Sequence, residues 1–341
     1  MKHLFLRLIS WILLICISFY LVGCGSYEME PAPATYFHID NSREYQSEIP
    51  VNPIIQSNYV HQFAVIPVEE HVRSSVSTKL CINNTTNELV MSENPFDKIY
   101  PASITKIMTA LLVLERGNLE DTVTVTEDIE LNDPLAVTLG LQVGDSITVK
   151  ELMHGMLITS ANDCAVMLGR YISGSDSAFV ELMNQRASDL GATHTHFVNP
   201  HGLHSEEHYT TGYDLYLIYK ELIKHEEFKQ IAGIAQYTIH YTNSEGVGVD
   251  VPISNSNQFI TSAYSLPEGI TVISGKTGTT NEAGYCLIVE ATDKDGQDYI
   301  GVICGASSRN SLYIQMQQLL SEINQVAEIT SSSCTSYPNV L

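Results

Sequence analysis

The chain has 341 residues, enough for one large domain or two ordinary ones, and 44% are hydrophobic, as expected of a protein that buries a core. Lys and Arg total 17 against 39 Asp and Glu, a formal charge of −22, and no basic stripe occurs along the chain. That balance repels phosphate backbones and sets nucleic-acid binding aside, while the absence of an internal repeat argues against a solenoid or propeller.

The first segment reads as a targeting sequence. Lys2, His3 and Arg7 are followed by an apolar stretch from Leu8 to Val22 and then by Leu21-Val22-Gly23-Cys24. That tetrapeptide resembles the lipobox of bacterial lipoproteins, in which the cysteine is lipidated and begins the mature chain. Residues 1–23 are therefore expected to be a lipoprotein signal peptide and Cys24 a lipid anchor on the outer face of the cytoplasmic membrane. A plain signal peptide or an uncleaved anchor is the alternative reading. Residues 24–62 mix Pro, Ser, Tyr, Asn and acidic residues without periodicity and predict a flexible tether. An ordered domain is expected over 63–328 and a short tail over 329–341.

Within that domain "VSTKLCI" and "NELVMSEN" bracket "NNTT", a hairpin pattern. Pro101 then opens "YPASITKIMT", and Ile107 to Leu114 are apolar nearly all round, so this helix is expected to be buried and to end at Gly117. Thr148 with Glu151 predicts a capping box and a helix that breaks near Ser160, with a second helix starting after Asn162. Further helices are expected over roughly 177–190 and 211–225. From Ile270 the pattern turns to strands: "ITVISG", "YCLIVEAT" and "DYIGVICGA", the last two joined across Asp295-Gly296, with a closing helix over roughly 311–326. Strands at both ends of a helical middle predict an α+β fold, an α/β/α sandwich on an antiparallel sheet.

Seven cysteines are present. Cys16 lies in the targeting segment, and Cys81, Cys164, Cys286, Cys304 and Cys334 remain beside Cys24. None has metal-type spacing. Cys164, Cys286 and Cys304 sit in apolar runs and read as packed thiols. Cys286 and Cys304 flank a predicted hairpin, which permits a disulfide without requiring one.

Ser103 and Lys106 stand three residues apart and share a helix face. A lysine at the head of a helix buried on every side is costly unless it has partners or a task. Desolvation and the positive helix N-terminus both favour its neutral form. A neutral amine beside a hydroxyl can take the proton of that hydroxyl, so the spacing sets a nucleophile and its base on one turn. Alone this pattern is weak, because a capping serine and a snorkelling lysine give the same sequence. "ITSANDCAV" adds Ser160-Ala161-Asn162 at a helix break, and "VISGKTGTT" adds Lys276-Thr277-Gly278 on a strand.

In order and context these three motifs resemble those of the penicillin-recognising enzymes. More narrowly, the chain resembles the serine-type D-alanyl-D-alanine carboxypeptidases, the low-molecular-mass penicillin-binding proteins, over roughly residues 65–320. "LMHGMLITSANDCAVMLG", "AFVELMNQRASDLGATHTHFVNPHGL" and "GKTGTTNEAGYCLIV" carry that likeness. The resemblance implies a sheet flanked by helices with an all-helical subdomain, no cofactor, peptidoglycan stem peptide as substrate and β-lactams as inhibitors. It implies Ser103 as nucleophile, Lys106 as general base and Ser160 as proton relay tuned by Lys276. Asn162 would hold Lys106 and the peptide amide. The N–H groups of Ser103 and Thr279 would form the oxyanion hole. Lys276, Thr277 and Gly278 would line the strand edge, with Lys276 and Thr277 taking the terminal carboxylate and Arg309 a second candidate cation.

Two departures stand out. Ala161 replaces a glycine frequent in the family and adds a methyl near the substrate. The C-terminal β-domain and amphipathic anchor of many members are not seen in the sequence, and the N-terminal lipid would replace that anchor. A class A-like β-lactamase needs a glutamate to activate the deacylating water; Glu181, three residues before Asn184, follows Ser160 too closely and reads as a surface residue. His194, His196, His201, His204 and His208 suggest zinc, but "NPHGL" matches a loop of the resembled family near its active site. A catalytically silent cell-wall-binding lipoprotein is a further alternative, and so is a transpeptidase, which uses the same acyl-enzyme and differs in whether water or an amine accepts it.

Overall fold

The computed structural model describes residues 77–131, 133 and 136–334. The expected signal peptide, Cys24, the tether and the residues from 335 onward lie outside the described residues. The chain divides into two units, 1–50 and 51–341, and every described residue belongs to the second.

The predicted first hairpin forms as β1 (Thr78–Asn83) and β2 (Glu88–Glu93). Asn83 Oδ1 accepts from the N–H groups of Thr85 and Thr86 at 2.9 and 3.0 Å, so the turn is closed by its own asparagine. The three predicted late strands are β7 (Thr271–Thr280), β8 (Gly284–Thr292) and β9 (Asp298–Ala306). Together these five make one antiparallel sheet in the order β2-β1-β9-β8-β7, which leaves β7 as an edge.

The central strands are buried on both faces, which is why their sequences are continuous apolar runs. Cys286, Ile288, Ile300 and Val302 face one core, and Leu287, Val289, Tyr299 and Ile303 face another. The helix Gly212–Leu222 belongs to the first core, and the closing helix Arg309–Cys334 covers the second. The expected α/β/α sandwich is therefore the observed one, with the closing helix longer at both ends than the sequence predicts. One buried charge in β8, Glu290, is neutralised by Lys229 at 2.8 Å and accepts from Ser274 Oγ of β7 at 2.8 Å. That network ties the edge strand to the helix Glu226–Ala232.

In chain order the helices are α1 (Lys106–Arg116), α2 (Val149–His154), α3 (Asn162–Ser173), α4 (Asp176–Asp189), α5 (Gly212–Leu222), α6 (Glu226–Ala232) and α7 (Arg309–Cys334). α1 is buried from Lys106 through Val113 and closes at Gly117, as its all-round apolar sequence predicts. Thr148 caps α2 by accepting from the N–H of Glu151 at 3.2 Å. The reciprocal half of the capping box is absent: the Glu151 carboxylate instead accepts from Tyr237 Oη and from the N–H of His240.

The expectation of an all-helical subdomain is corrected. A second antiparallel sheet, ordered β3-β4-β5-β6, accompanies the helices: β3 (Thr122–Thr124), β4 (Ser146–Thr148), β5 (Gln236–Thr242) and β6 (Gly248–Ser254). β3 and β4 are three residues each, too short to carry a period-2 signal. β5 does carry one, since Tyr237, Ile239 and Tyr241 alternate before a turn at 243–246. Cys81, Cys164, Cys286 and Cys304 are buried free thiols. Cys286 Sγ donates to the Ala283 carbonyl at 3.5 Å and Cys304 is likewise a free thiol, so the disulfide their spacing permits is not formed.

Candidate active site

The nucleophile candidate sits where extended chain becomes helix. Ala102–Thr105 form one tight 3-10 turn that runs directly into α1, and Ala102 adopts a left-handed backbone, φ 47°. This places Ser103, which is half-buried, one turn before Lys106, which is wholly buried. Lys106 Nζ lies 2.9 Å from Ser103 Oγ, 2.7 Å from Asn162 Oδ1 and 2.6 Å from the carbonyl oxygen of His201. The amide and carbonyl oxygens can only accept, so they take two N–H bonds of the amine. A neutral amine then has one lone pair left, directed at the Ser103 hydroxyl. Burial holds the Lys106 pKa well below the usual lysine value, and the charge of Lys276 lowers it further.

The second segment is set by an irregular helix end. α2 widens into a single π-turn over Gly155–Thr159, and Ser160 ends it in a left-handed conformation, φ 69°. Ser160 Oγ is 3.0 Å from Lys276 Nζ. Asn162 begins α3, and its Nδ2 donates to the Val137 carbonyl at 3.1 Å, which turns Oδ1 toward Lys106. The methyl of Ala161 is fully buried in the main core, so it does not crowd the cleft.

The third segment is β7. Lys276 is 1% exposed and donates to Ser160 Oγ and to the Thr277 carbonyl, the latter at 2.8 Å. Burial lowers its pKa to about 7. Thr277 Oγ1 lies 2.6 Å from Ser256 Oγ. Gly278 permits β7 to press on the nucleophile's turn: a Cβ there would stand 2.9 Å from Ser103 N and 3.0 Å from Ile104 N. Ser103, Ser160, Thr277 and Thr279 are partly or fully exposed, while Lys106, Asn162 and Lys276 lie buried behind them. Hydroxyls at the surface and buried amines behind them suit activation of a hydroxyl toward an electrophile. Arg309 stands exposed at the start of α7.

The loop after α4, set near the active site by resemblance alone, offers groups that the sequence reading did not identify. Besides the His201 carbonyl, it supplies the Pro200 carbonyl to Thr109 Oγ1 at 2.6 Å and His208 to Thr105 at 2.7 Å. The glycine of "NPHGL" was the available signal, because Gly202 has φ 88° and lies against Ala102. The histidines act singly: the His194 N–H donates to Asp214, and His196 Nδ1 meets the Glu207 carbonyl. Among the described residues no group of three His, Cys, Asp or Glu side chains could hold a metal. Glu181 is exposed on α4, and the Asn184 amide binds the backbone of Phe197.

A family model described as Peptidase_S11, D-alanyl-D-alanine carboxypeptidase, matches residues 67–308. The chain belongs to this family. D-alanyl-D-alanine carboxypeptidase DacF of Bacillus subtilis is 33% identical over 243 residues, 70% of this chain and 59% of DacF. DacC of Escherichia coli is 31% identical over 250 residues, again 59% of its own length. The chain thus matches under two thirds of the length of these curated relatives. Among solved structures, the Streptomyces K15 DD-transpeptidase superposes with a TM-score of 0.67 at 26% identity, covering 74% of this chain and 97% of that one. Penicillin-binding protein D2 of Listeria monocytogenes, in its cefotaxime-bound form, gives 0.62 at 26% identity, covering 74% and 99%.

Proposed function

We propose that the chain is a serine D-alanyl-D-alanine carboxypeptidase that releases the terminal D-alanine of peptidoglycan stem pentapeptides through an acyl-enzyme and is inhibited by β-lactams. The observation that carries this reading is the three-way setting of Lys106 Nζ between Ser103 Oγ, Asn162 Oδ1 and the His201 carbonyl. Ser103 Oγ attacks the carbonyl carbon between the two D-alanines while its proton passes to Lys106 Nζ. The N–H groups of Ser103 and Thr279 receive the charge that develops on the carbonyl oxygen. As the C–N bond breaks, the proton returns to the leaving amine through Ser160 Oγ, which Lys276 orients and polarises. Lys106 is then neutral again and activates the water that cleaves the ester. Asn162 holds Lys106 and the peptide amide. Lys276 and Thr277 meet the terminal carboxylate, Arg309 being a second candidate, and Gly278 lies in the strand edge along which the extended peptide docks.

In the same reading the enzyme acts outside the cytoplasmic membrane, held there by a lipid on Cys24. The Leu21–Cys24 sequence supports this. No helix among the described residues is long and apolar enough to cross a membrane. The purified protein is expected to free D-alanine from a pentapeptide ending in D-Ala-D-Ala, with full activity in EDTA and none after penicillin. Fluorescent penicillin is expected to label it covalently and to fail on Ser103→Ala. No label and no D-alanine would make the chain a silent binder; label that turns over rapidly would make it a β-lactamase.

A further inference from the structure

The nucleophile's turn is held from behind by a relay that plays no part in the chemistry above. Ala102 carries a side chain in the left-handed region, which non-glycine residues adopt only where their surroundings over-determine it. Its carbonyl accepts from Thr105 Oγ1 at 2.8 Å. The Thr105 hydroxyl has spent its one proton there and can only accept from His208 Nε2, 2.7 Å away. The opposite nitrogen, His208 Nδ1, accepts from the N–H of Val198 at 3.1 Å. These two bonds select a single neutral tautomer with the proton on Nε2, because a proton on Nδ1 would face the Val198 N–H. His208 is 2% exposed, which fits a neutral ring. Gly202 presses on the same carbonyl: a Cβ there would fall 1.9 Å from Ala102 O.

We propose that His208 is a positioning residue of this enzyme: through Thr105 it fixes the carbonyl of strained Ala102, and so aims Ser103 Oγ at Lys106. His208 touches neither Ser103 nor substrate. Its effect is on the geometry of a hydroxyl that must stay in line with the Lys106 lone pair, where a displacement of about 1 Å can cost roughly 100-fold in rate. The inference rests on the functional reading above only in taking Ser103 as the acylated residue.

The amide analogues of histidine separate this role from mere packing. In His208→Gln the side-chain NH₂ stands where Nε2 stood and keeps the donor to Thr105. In His208→Asn the side-chain oxygen stands near Nδ1 and keeps the Val198 bond, while the donor to Thr105 is lost. Thr105→Ser keeps the relay hydroxyl and Thr105→Val removes it. Acylation by fluorescent penicillin is followed in stopped flow to separate the saturating rate from the pre-acylation dissociation constant, with melting temperature measured alongside. We expect His208→Asn and Thr105→Val to lower the saturating rate by about 30- to 100-fold, with the dissociation constant within about twofold, and Gln and Ser to recover most of it. The inference is overturned if the folded Asn or Val variant acylates at the wild-type rate, or if Gln and Ser lose as much as Asn and Val. It is equally overturned if the dissociation constant carries the loss. Wild-type protein that takes no label would contradict the proposed function instead.

Discussion

Lys106 and Lys276 are both buried, both close to a serine hydroxyl, and differently made. Lys106 heads a helix and meets two oxygens that can only accept, so its protons are committed and its lone pair has one direction. Lys276 sits on an edge strand and meets one carbonyl and the Ser160 hydroxyl, an adaptable partner. The pKa of Lys106 lies well below the usual lysine value, through burial first and then through Lys276 itself; that of Lys276 falls to about 7 through burial. The first setting suits the base of the proposed reaction. The second suits a cation that changes charge near neutral pH and that the proposed substrate carboxylate would hold charged.

Exchanging the two side chains for neutral ones should expose that difference. Lys106→Met is expected to slow penicillin acylation by about 10⁴-fold or more, as loss of a nucleophile's base does. Lys276→Met should cost less, about 10²–10³-fold, and chiefly in substrate affinity. Equal losses, measured by labelling rate, would erase the distinction.

The wall behind Lys106 predicts the next effect. Burial and the Lys106 charge lower the His201 pKa to about 3, and burial with neighbouring His196, His204 and Lys106 lowers that of His208 to about 3. The unfolded chain takes up these protons near pH 6.5 while the folded chain refuses them, so stability rises with pH across this window. As pH falls from about 6.5 toward 3, each histidine should remove about 1.4 kcal/mol per pH unit. Denaturant titrations should show that slope, and His208→Gln should roughly halve it; a flat profile would mean that the imidazoles are solvated.

Lys276 gives a smaller effect of opposite direction. Its cation is lost as pH rises through about 7. The kcat/KM of a peptide ending in a free carboxylate should then fall up to tenfold per pH unit on the alkaline side. A peptide ending in an amide should lack that limb. The smallest effect is expected of Glu181→Gln: stability within about 0.5 kcal/mol and no change in the lifetime of the penicilloyl-enzyme. A longer-lived adduct would place Glu181 in deacylation.

What the sequence could reveal follows from what kind of interaction builds each part. Ser103, Lys106, Ser160, Asn162, Lys276 and Thr277 were legible as candidates because each carries a distinctive side chain within a short motif on one element. The five-stranded sheet was legible because its central strands bury both faces and read as unbroken apolar runs. β3 and β4 were not, being three residues each. The groups supplied by the loop behind the nucleophile were hidden for another reason: they are the backbone carbonyls of Pro200 and His201, which any residue possesses. His208 was seen as one of several loop histidines, and only the fold shows it to be the buried one facing Thr105. The left-handed Ala102 and Ser160 carry no sequence signal, since neither is a glycine.

The protonation state of Lys106 can be observed directly. In protein carrying ¹⁵N-labelled lysine, the Nζ resonance of Lys106, assigned by its disappearance in Lys106→Arg, should sit in the neutral-amine range at pH 8 and titrate well below 10.5. The same resonance in the ammonium range at pH 8, titrating near 10.5, would contradict the assignment of Lys106 as the base.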